Sequence, residues 1–243
     1  MSQLDLARKV RNMKTSDDLL KEVRSILRTT WERCAGRKVP EAEDIKLGND
    51  AVTLDGTVLY ADMTDSTGLV KGFKDWFAAD IYKSYLLAAC HIIRNLSGVI
   101  TAFDGDRVMA VFIGETKNTS AAKAALQISW ITRQINAEIK AAYPSSSYQL
   151  EHAIGIDTSP LFVAKTGIRN NNDLVWVGRA ANYAAKLCSL SDSTYSIYIT
   201  DDVHKMLHES AKYGGSPQRN MWDKTMWQDM GIVIHRSSWW WQF

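Results

Sequence analysis

Apolar positions near the start of the chain recur at helical spacing. Leu4, Leu6, Val10, Leu19, Leu20, Val23, Ile26 and Leu27 form a stripe with charges between them, which predicts helix over residues 3–35. Ser16, Asp17 and Asp18 mark a restart within it. A helix this amphipathic packs either on its own domain or on a partner chain. A polar connection follows, and then "AVTLDGTVLYADM", strand-like and interrupted by the turn pair Asp55-Gly56. Helical spacing returns from Ser66 to Asn95 through Leu69, Phe73, Phe77, Ile81, Tyr85 and Ile92. Two runs of β-formers, Val99–Phe103 and Val108–Ile113, flank Asp104-Gly105-Asp106 and predict a hairpin.

Residues 117–142 read as a second long helix, stopped near Pro144. "SYQLEHAIGID" and "SPLFVAKTG" read as a strand pair turning around Asp157–Pro160, and "DLVWVG" as a short strand. The Ala-rich "RAANYAAKLCSL" predicts a closely packed helix, "YSIYIT" a strand, and "DDVHKMLHES" a helix capped by Thr200 or Asp201. The tail turns strand-like again and ends in a Trp cluster, Trp239–Trp241, expected to pack on the sheet or on a dimer partner. The order is roughly β-α-β-β-α-β-β-α-β. It predicts an α+β fold, a mixed sheet with layered helices close to a ferredoxin-like plan. The expected division is an N-terminal helical arm, residues 1–45, and a catalytic domain, residues 46–243.

Composition narrows the function classes. Net charge is +2 with no dense basic run, so neither nucleic acid nor an anionic membrane is expected as partner. No stretch approaches the ~20 apolar residues of a membrane helix, and no signal-peptide core is present; a cytoplasmic protein is expected. Cys34, Cys90 and Cys188 lie far apart without CxxC spacing and read as buried, reduced thiols. None of the five histidines shows metal spacing; His204 and His208, four apart, read as a surface pair.

Two aspartates carry the chemistry. Asp62 ends a strand just before a helix, although Asp65, Ser66 or Thr67 would suffice as a cap. Asp106 follows Gly105 in the hairpin turn. Each has a bland reading, as cap or as turn residue. In a ferredoxin-like sheet, however, both reach one point, and two carboxylates converging without a basic partner suit a divalent metal. The segment Met63, Thr64, Asp65, Ser66 and Thr67 then offers helix-start N–H groups to a polyphosphate.

Three segments extend this reading. "VLYADMTDSTGLV" resembles the first metal-binding motif of the class III nucleotide cyclases, F-A-D-[IM]-x-[GD]-[FS]-T. "FDGDRVMAVF" is similar to their second, and "VGRAANYAAKLCSL" to their third. The ordered set covers roughly residues 50–200. The resemblance implies a head-to-tail homodimer with shared active sites and two divalent ions, Mn2+ or Mg2+, held by Asp62, Asp106 and the Met63 carbonyl. It implies that Asn182 orients the ribose. Lys186 stands where the family usually has a phosphate-stabilising arginine; it keeps the charge and loses the planar fork, and Arg179 or Arg107 is an alternative. Lys224 and Arg236 are candidates for the remaining phosphate-binding cation. Ala102 and Val175 replace the purine-reading residues, and Tyr60 stands where Phe is common, adding a hydroxyl that favours a smaller base. The chain resembles the Pycsar pyrimidine cyclases of bacterial anti-phage defence, whose cyclic UMP or cyclic CMP activates a separate effector. UTP is the expected substrate, with CTP the alternative.

Overall fold

The structure, a computed structural model, describes residues 14–190 and 193–243. Its central ladder joins two long antiparallel strands, β2 (Asp50–Met63) and β5 (His152–Ile168), in register from Ala51 opposite Ala164 to Met63 opposite His152. Both strands run through points that the sequence marked as turns. At Asp55-Gly56 there is no turn: Asp55 points out to Lys117, 2.7 Å away. A Cβ on Gly56 would sit 2.8 Å from Leu161 Cδ1, so this glycine answers to packing. At Asp157–Pro160 there is again no turn. Pro160 lies between the part of β5 paired with β7 and the part paired with β6, where the missing N–H breaks no ladder.

Around this ladder the sheet order is β10-β11-β7-β5-β2-β4-β3, with β1 on β2 and β6 on β5. The strands are β1 (Glu32–Ala35), β3 (Val99–Asp104), β4 (Arg107–Phe112), β6 (Asn171–Val177), β7 (Ile197–Thr200), β10 (Asp223–Trp227) and β11 (Ile232–Ser237); β8 (Tyr213–Gly214) and β9 (Arg219–Asn220) form a separate pair. The predicted β3–β4 hairpin is present, with Gly105 at φ +62° in its turn.

The predicted N-terminal helix stops at Arg28, short of residue 35. Helix α1 covers Ser16–Arg28, capped by Thr15 in a box with Asp18. Residues 32–35 are strand β1, parallel to β2, and residues 3–13 lie outside the described residues. The helix expected over Ser66–Asn95 is two helices, α2 (Ser66–Gly72) and α3 (Asp75–Asn95), because Phe73 after Gly72 is extended, at φ −130° and ψ 169°. Helix α4 (Lys117–Ala142) matches its prediction, as does α5 (Arg179–Cys188). "DDVHKMLHES" divides into α6 (Asp201–Lys205) and α7 (Glu209–Lys212), the second capped by the His208 side chain. The Trp tail is not a strand. Trp241 N–H donates to Leu126 O on α4, and Trp240 lies over the Arg133 guanidinium.

Period-two alternation divides β2 between two cores. Leu59, Ala61 and Met63 face α3 and α4, packing with Ile81, Tyr85 and Leu126. Val52, Leu54 and Val58 face the other way, with Met109, Val111 and the alanines of α5. Small residues let α5 lie very close: a Cβ on Gly155 would meet Ala184 O at 2.1 Å. The thiols are free, but Cys34 is exposed, contrary to expectation; only Cys188 is fully buried, and Cys90 is half-buried.

His152, at the start of β5, is buried and hydrogen-bonds Ser129 Oγ at 3.0 Å. Burial, aided by Arg133, lowers its pKa from the ordinary 6.5 to about 4. The native imidazole therefore stays neutral while the unfolded one takes up a proton. Stability present above pH 6.5 is lost as pH falls toward 4, by roughly 3 kcal/mol when complete. Urea unfolding of His152→Gln across that window should show a flatter pH dependence than wild type; parallel curves would refute the assignment.

Candidate active site

The site grows from two transverse rows on the sheet face that α5 partly covers. Residues opposite one another on neighbouring strands share a face. In the first row Gly155 on β5 faces Tyr60 on β2, then Met109 on β4, then Ala102 on β3. In the second, one step nearer the end of β2, lie Ala153, Asp62, Arg107 and Asp104. Asp106 stands in the hairpin turn beside that second row. Strand pairing thus brings together the two carboxylates that the sequence singled out, with the half-buried Tyr60 and Ala102 alongside.

The expectation of carboxylates without a basic partner is not met. Arg107 grips Asp62 with two donors, Nη2 at 2.6 Å and Nε at 2.9 Å from Oδ2. Arg107 is the residue after Asp106, and alternation along β4 returns it to the face of Asp62. In the sequence Arg107 is only a possible phosphate cation; its meeting with Asp62 follows from the β2–β4 register, one step beyond Ala61 opposite Val108. Burial raises the Asp62 pKa, Arg107 opposes that rise, and Asp106 adds to it. Burial also raises the Tyr60 pKa. Cys188, at the end of α5, is pushed up to about 12, chiefly by burial and secondly by Asp62.

The donor chemistry fits a hard divalent cation. It consists of carboxylate oxygens, and Asp106 Oδ2 is buried with no hydrogen-bond partner. No group of three or more His, Cys, Asp or Glu among the described residues is arranged to hold a metal. Further coordination would therefore fall to backbone carbonyl, water and substrate oxygens.

The segment after β2 is partly committed within the chain. Asp65 is the cap of α2, in left-handed conformation at φ 54°, and its carboxylate accepts from Gly68 N–H at 3.1 Å. A Cβ on Gly68 would lie 2.2 Å from Asp65 Oδ2, so the cap requires that glycine. Thr64 N–H donates to Glu151 O and Leu69 N–H to Asp65 O. The N–H groups of Ser66 and Thr67, in the first turn of α2, have no acceptor among the described residues. Thr64 Oγ1 is buried and unpartnered.

The other sequence-selected residues lie apart from this cluster. Asn182 and Lys186 are exposed on α5, and the Lys186 ammonium sits 3.7 Å from Met230 Sδ. Arg179 is held by Asp157, Asp202 and Thr158 O, at the level of Val58 on β2. Asp157, fully buried, also accepts from Thr200 Oγ1 at 2.5 Å. Val175 is exposed on β6, opposite Ala164 and so at the far end of β2 from Asp62. Lys224 and Arg236 belong to β10 and β11, at the sheet edge opposite the β3–β4 hairpin.

No family model matches the chain. Among individual proteins it is similar to the uridylate cyclase of Xanthomonas perforans, 51% identical over 95% of this chain and 99% of that protein. The chain belongs to the class III nucleotide cyclase family, among the bacterial uridylate cyclases. A uridylate cyclase of Burkholderia cepacia is 46% identical over 94% of this chain and 99% of its own length. In fold, the structure is similar to the adenylyl cyclase CyaB of P. aeruginosa, with a TM-score of 0.66 and 19% identity over 77% of this chain and 95% of that one.

Two substitutions test the geometry. Arg107→Met should cost about 1–2 kcal/mol in urea unfolding, since the half-screened pair is weaker than a fully buried one. A double-mutant cycle with Asp62→Asn should return most of that as coupling energy; zero coupling would mean that the pair contributes nothing. Gly155→Ala should cost about 1–3 kcal/mol by overpacking, because the helix backbone must move to admit the methyl group.

Proposed function

We propose that the protein is a metal-dependent uridylate cyclase, converting UTP into 3′,5′-cyclic UMP and pyrophosphate. The observation that carries the reading is the meeting of Asp62 and Asp106 at the end of the β2–β4 ladder, with Asp106 Oδ2 buried and unpartnered. Sequence similarity to uridylate cyclases along nearly the whole chain supports the choice of base. The product serves as a second messenger of anti-phage defence in the cytoplasm, read by a separate effector that this chain does not contact. No helix among the described residues is long and apolar enough to cross a membrane. The N-terminal arm, residues 1–45, precedes the catalytic domain, residues 46–243, and is joined to it where β1 pairs with β2.

In the reaction the ribose 3′-oxygen attacks the α-phosphorus in line. One O–P bond forms, the bond to the bridging oxygen breaks, pyrophosphate leaves and the hydroxyl proton passes to solvent. Asp62, Asp106 and the Met63 carbonyl would hold two divalent ions, Mn2+ or Mg2+, which would supply Lewis-acid activation and neutralise triphosphate charge. Arg107 fixes the rotamer of Asp62 and balances its charge. Ser66 and Thr67 offer backbone donors to the phosphates, and Thr64 a hydroxyl.

Tyr60, in one row with Ala102, narrows the base pocket and favours a pyrimidine; Val175 offers no purine-reading group. Asn182 orients the ribose and Lys186 places a cation on the reacting phosphate. Because those two residues are exposed on α5, apart from the carboxylates of their own chain, they act on the site of a second copy in a head-to-tail homodimer. Arg179 is committed to Asp157 and Asp202 and serves as the anchor of α5.

Incubation with Mn2+ and each of ATP, GTP, CTP and UTP should give a cyclic product from UTP. A purine product alone, or none, would overturn the reading, and a CTP product would reassign the base. Asp62→Ala should abolish turnover. Mixing Asp106→Ala with Asn182→Ala chains should restore part of it; no recovery would refute shared sites.

A further inference from the structure

Three buried side-chain oxygens near the Asp62 end of the sheet have no hydrogen-bond partner among the described residues. Thr64 Oγ1 and Asp106 Oδ2 belong to the site described above; the third is the Tyr148 hydroxyl. Tyr148 lies outside all three motif segments, in the connection between α4 and β5, just before His152, which stands opposite Met63.

This connection is pinned on both sides. Leu150 N–H donates to Asn136 Oδ1 on α4 at 2.7 Å, and Asn136 Nδ2 donates back to Leu150 O at 2.9 Å. Glu151 O accepts from Thr64 N–H at 3.0 Å, which ties the connection to the phosphate segment. The Tyr148 N–H donates to Ser146 Oγ at 3.2 Å. Its ring is held edge-on by Phe73 at 5.4 Å and by Phe77 at 5.8 Å. Phe73 is the residue at which α2 ends. The phenol is thus a preorganised group with a fixed direction.

Its surroundings are acidic. The Tyr148 pKa is pushed up to about 12, chiefly by burial, then by Tyr82 and by the carboxylates of Asp106, Asp65 and Glu151. At neutral pH the hydroxyl is a donor, yet none of those carboxylates accepts from it. A buried hydroxyl without a partner costs stability, and such a group calls for a completing partner from outside the chain. The carboxylates narrow what that partner is. They repel an anion that arrives alone and admit one that arrives with divalent cations, as a polyphosphate does. Asp65 caps the phosphate segment, so the phenol stands on the phosphate side of the site, away from the row of Tyr60 and Ala102. We propose that the Tyr148 hydroxyl donates a hydrogen bond to a terminal phosphate oxygen of the nucleoside triphosphate and holds it as pyrophosphate leaves. Catalytic hydrogen bonds commonly tighten only in the complex, and this one closes as the triphosphate seats.

The role in turnover rests on the cyclase reading above, but the contact can be measured without turnover. Tyr148→Phe keeps the ring and removes only the donor. Calorimetry with pyrophosphate and saturating Mn2+ should show affinity reduced roughly tenfold or more, the scale of a hydrogen bond to a charged group. Mn2+ alone, followed by its electron paramagnetic resonance signal, should bind both proteins equally. The urea midpoint of Tyr148→Phe without ligand should equal or exceed that of wild type, since no bond within the chain is lost. With UTP, kcat should fall roughly tenfold and KM much less. Equal pyrophosphate affinity in the two proteins, or none in wild type, would overturn the proposal. Mn2+ binding weakened as much as pyrophosphate binding would also overturn it, the hydroxyl then acting on the metal site. So would a lowered urea midpoint, which would reveal a partner within the chain. If wild type makes no cyclic product while Tyr148→Phe still loses pyrophosphate affinity, the cyclase reading fails and the phosphate contact stands.

Discussion

The antiparallel ladder between β2 and β5 is the constraint on which the rest of the molecule depends. Thirteen consecutive positions of β2, from Ala51 to Met63, are paired with β5, and period-two alternation along them sorts every side chain to one of two faces. One face takes α3 and α4 and becomes the larger core. The other takes α5 and keeps room at its end, where Tyr60 and Asp62 emerge. A slip of one residue would send Asp62 into the helix-packed core and Ala61 to the site. The register that stabilises the fold is the same register that aims the carboxylate.

The local electrostatics follow from that aim. A carboxylate at the rim of a core loses solvation, which raises its pKa, and a second carboxylate nearby adds to the cost. Arg107 offsets both at short range. The site therefore holds three acidic groups, Asp62, Asp104 and Asp106, and one cation, Arg107, before any ligand is considered. Asp106 is left with a buried oxygen that nothing among the described residues satisfies. Such a group persists in a folded protein when something outside the chain completes it.

Much of this was legible in the sequence. The β3–β4 hairpin, the long helix α4 and the Ala-rich α5 announced themselves by periodicity and turn chemistry, and the Asp62–Asp106 pair by its position at strand ends. The differences share a cause: Gly, Pro and Asp act as punctuation in a sequence, and here tertiary packing overrides them. Gly56 makes room for Leu161, and Pro160 falls where β5 changes neighbours. Conversely, the polar Thr29-Thr30 junction carries no Gly or Pro to mark the switch from α1 to β1, and a continuous apolar stripe hides the break at Phe73. The Arg107–Asp62 pair was unreadable without the register, since forty-five residues separate its members.

Gly155 sits at the head of the row that ends in Ala102, directly beneath the backbone of Ala184 and Cys188. Main chain rests there on main chain, with no side chain between to serve as a shim. The height of α5 above the sheet is thus a property of the backbone alone, and sequence drift at this floor position cannot reset it. On the proposed function, changes in the size of the base pocket come from its walls, Tyr60 and Ala102. Two positions in one row, on β2 and β3 with β4 between them, would then be enough to diversify what the pocket admits, while the helix above the sheet stays fixed.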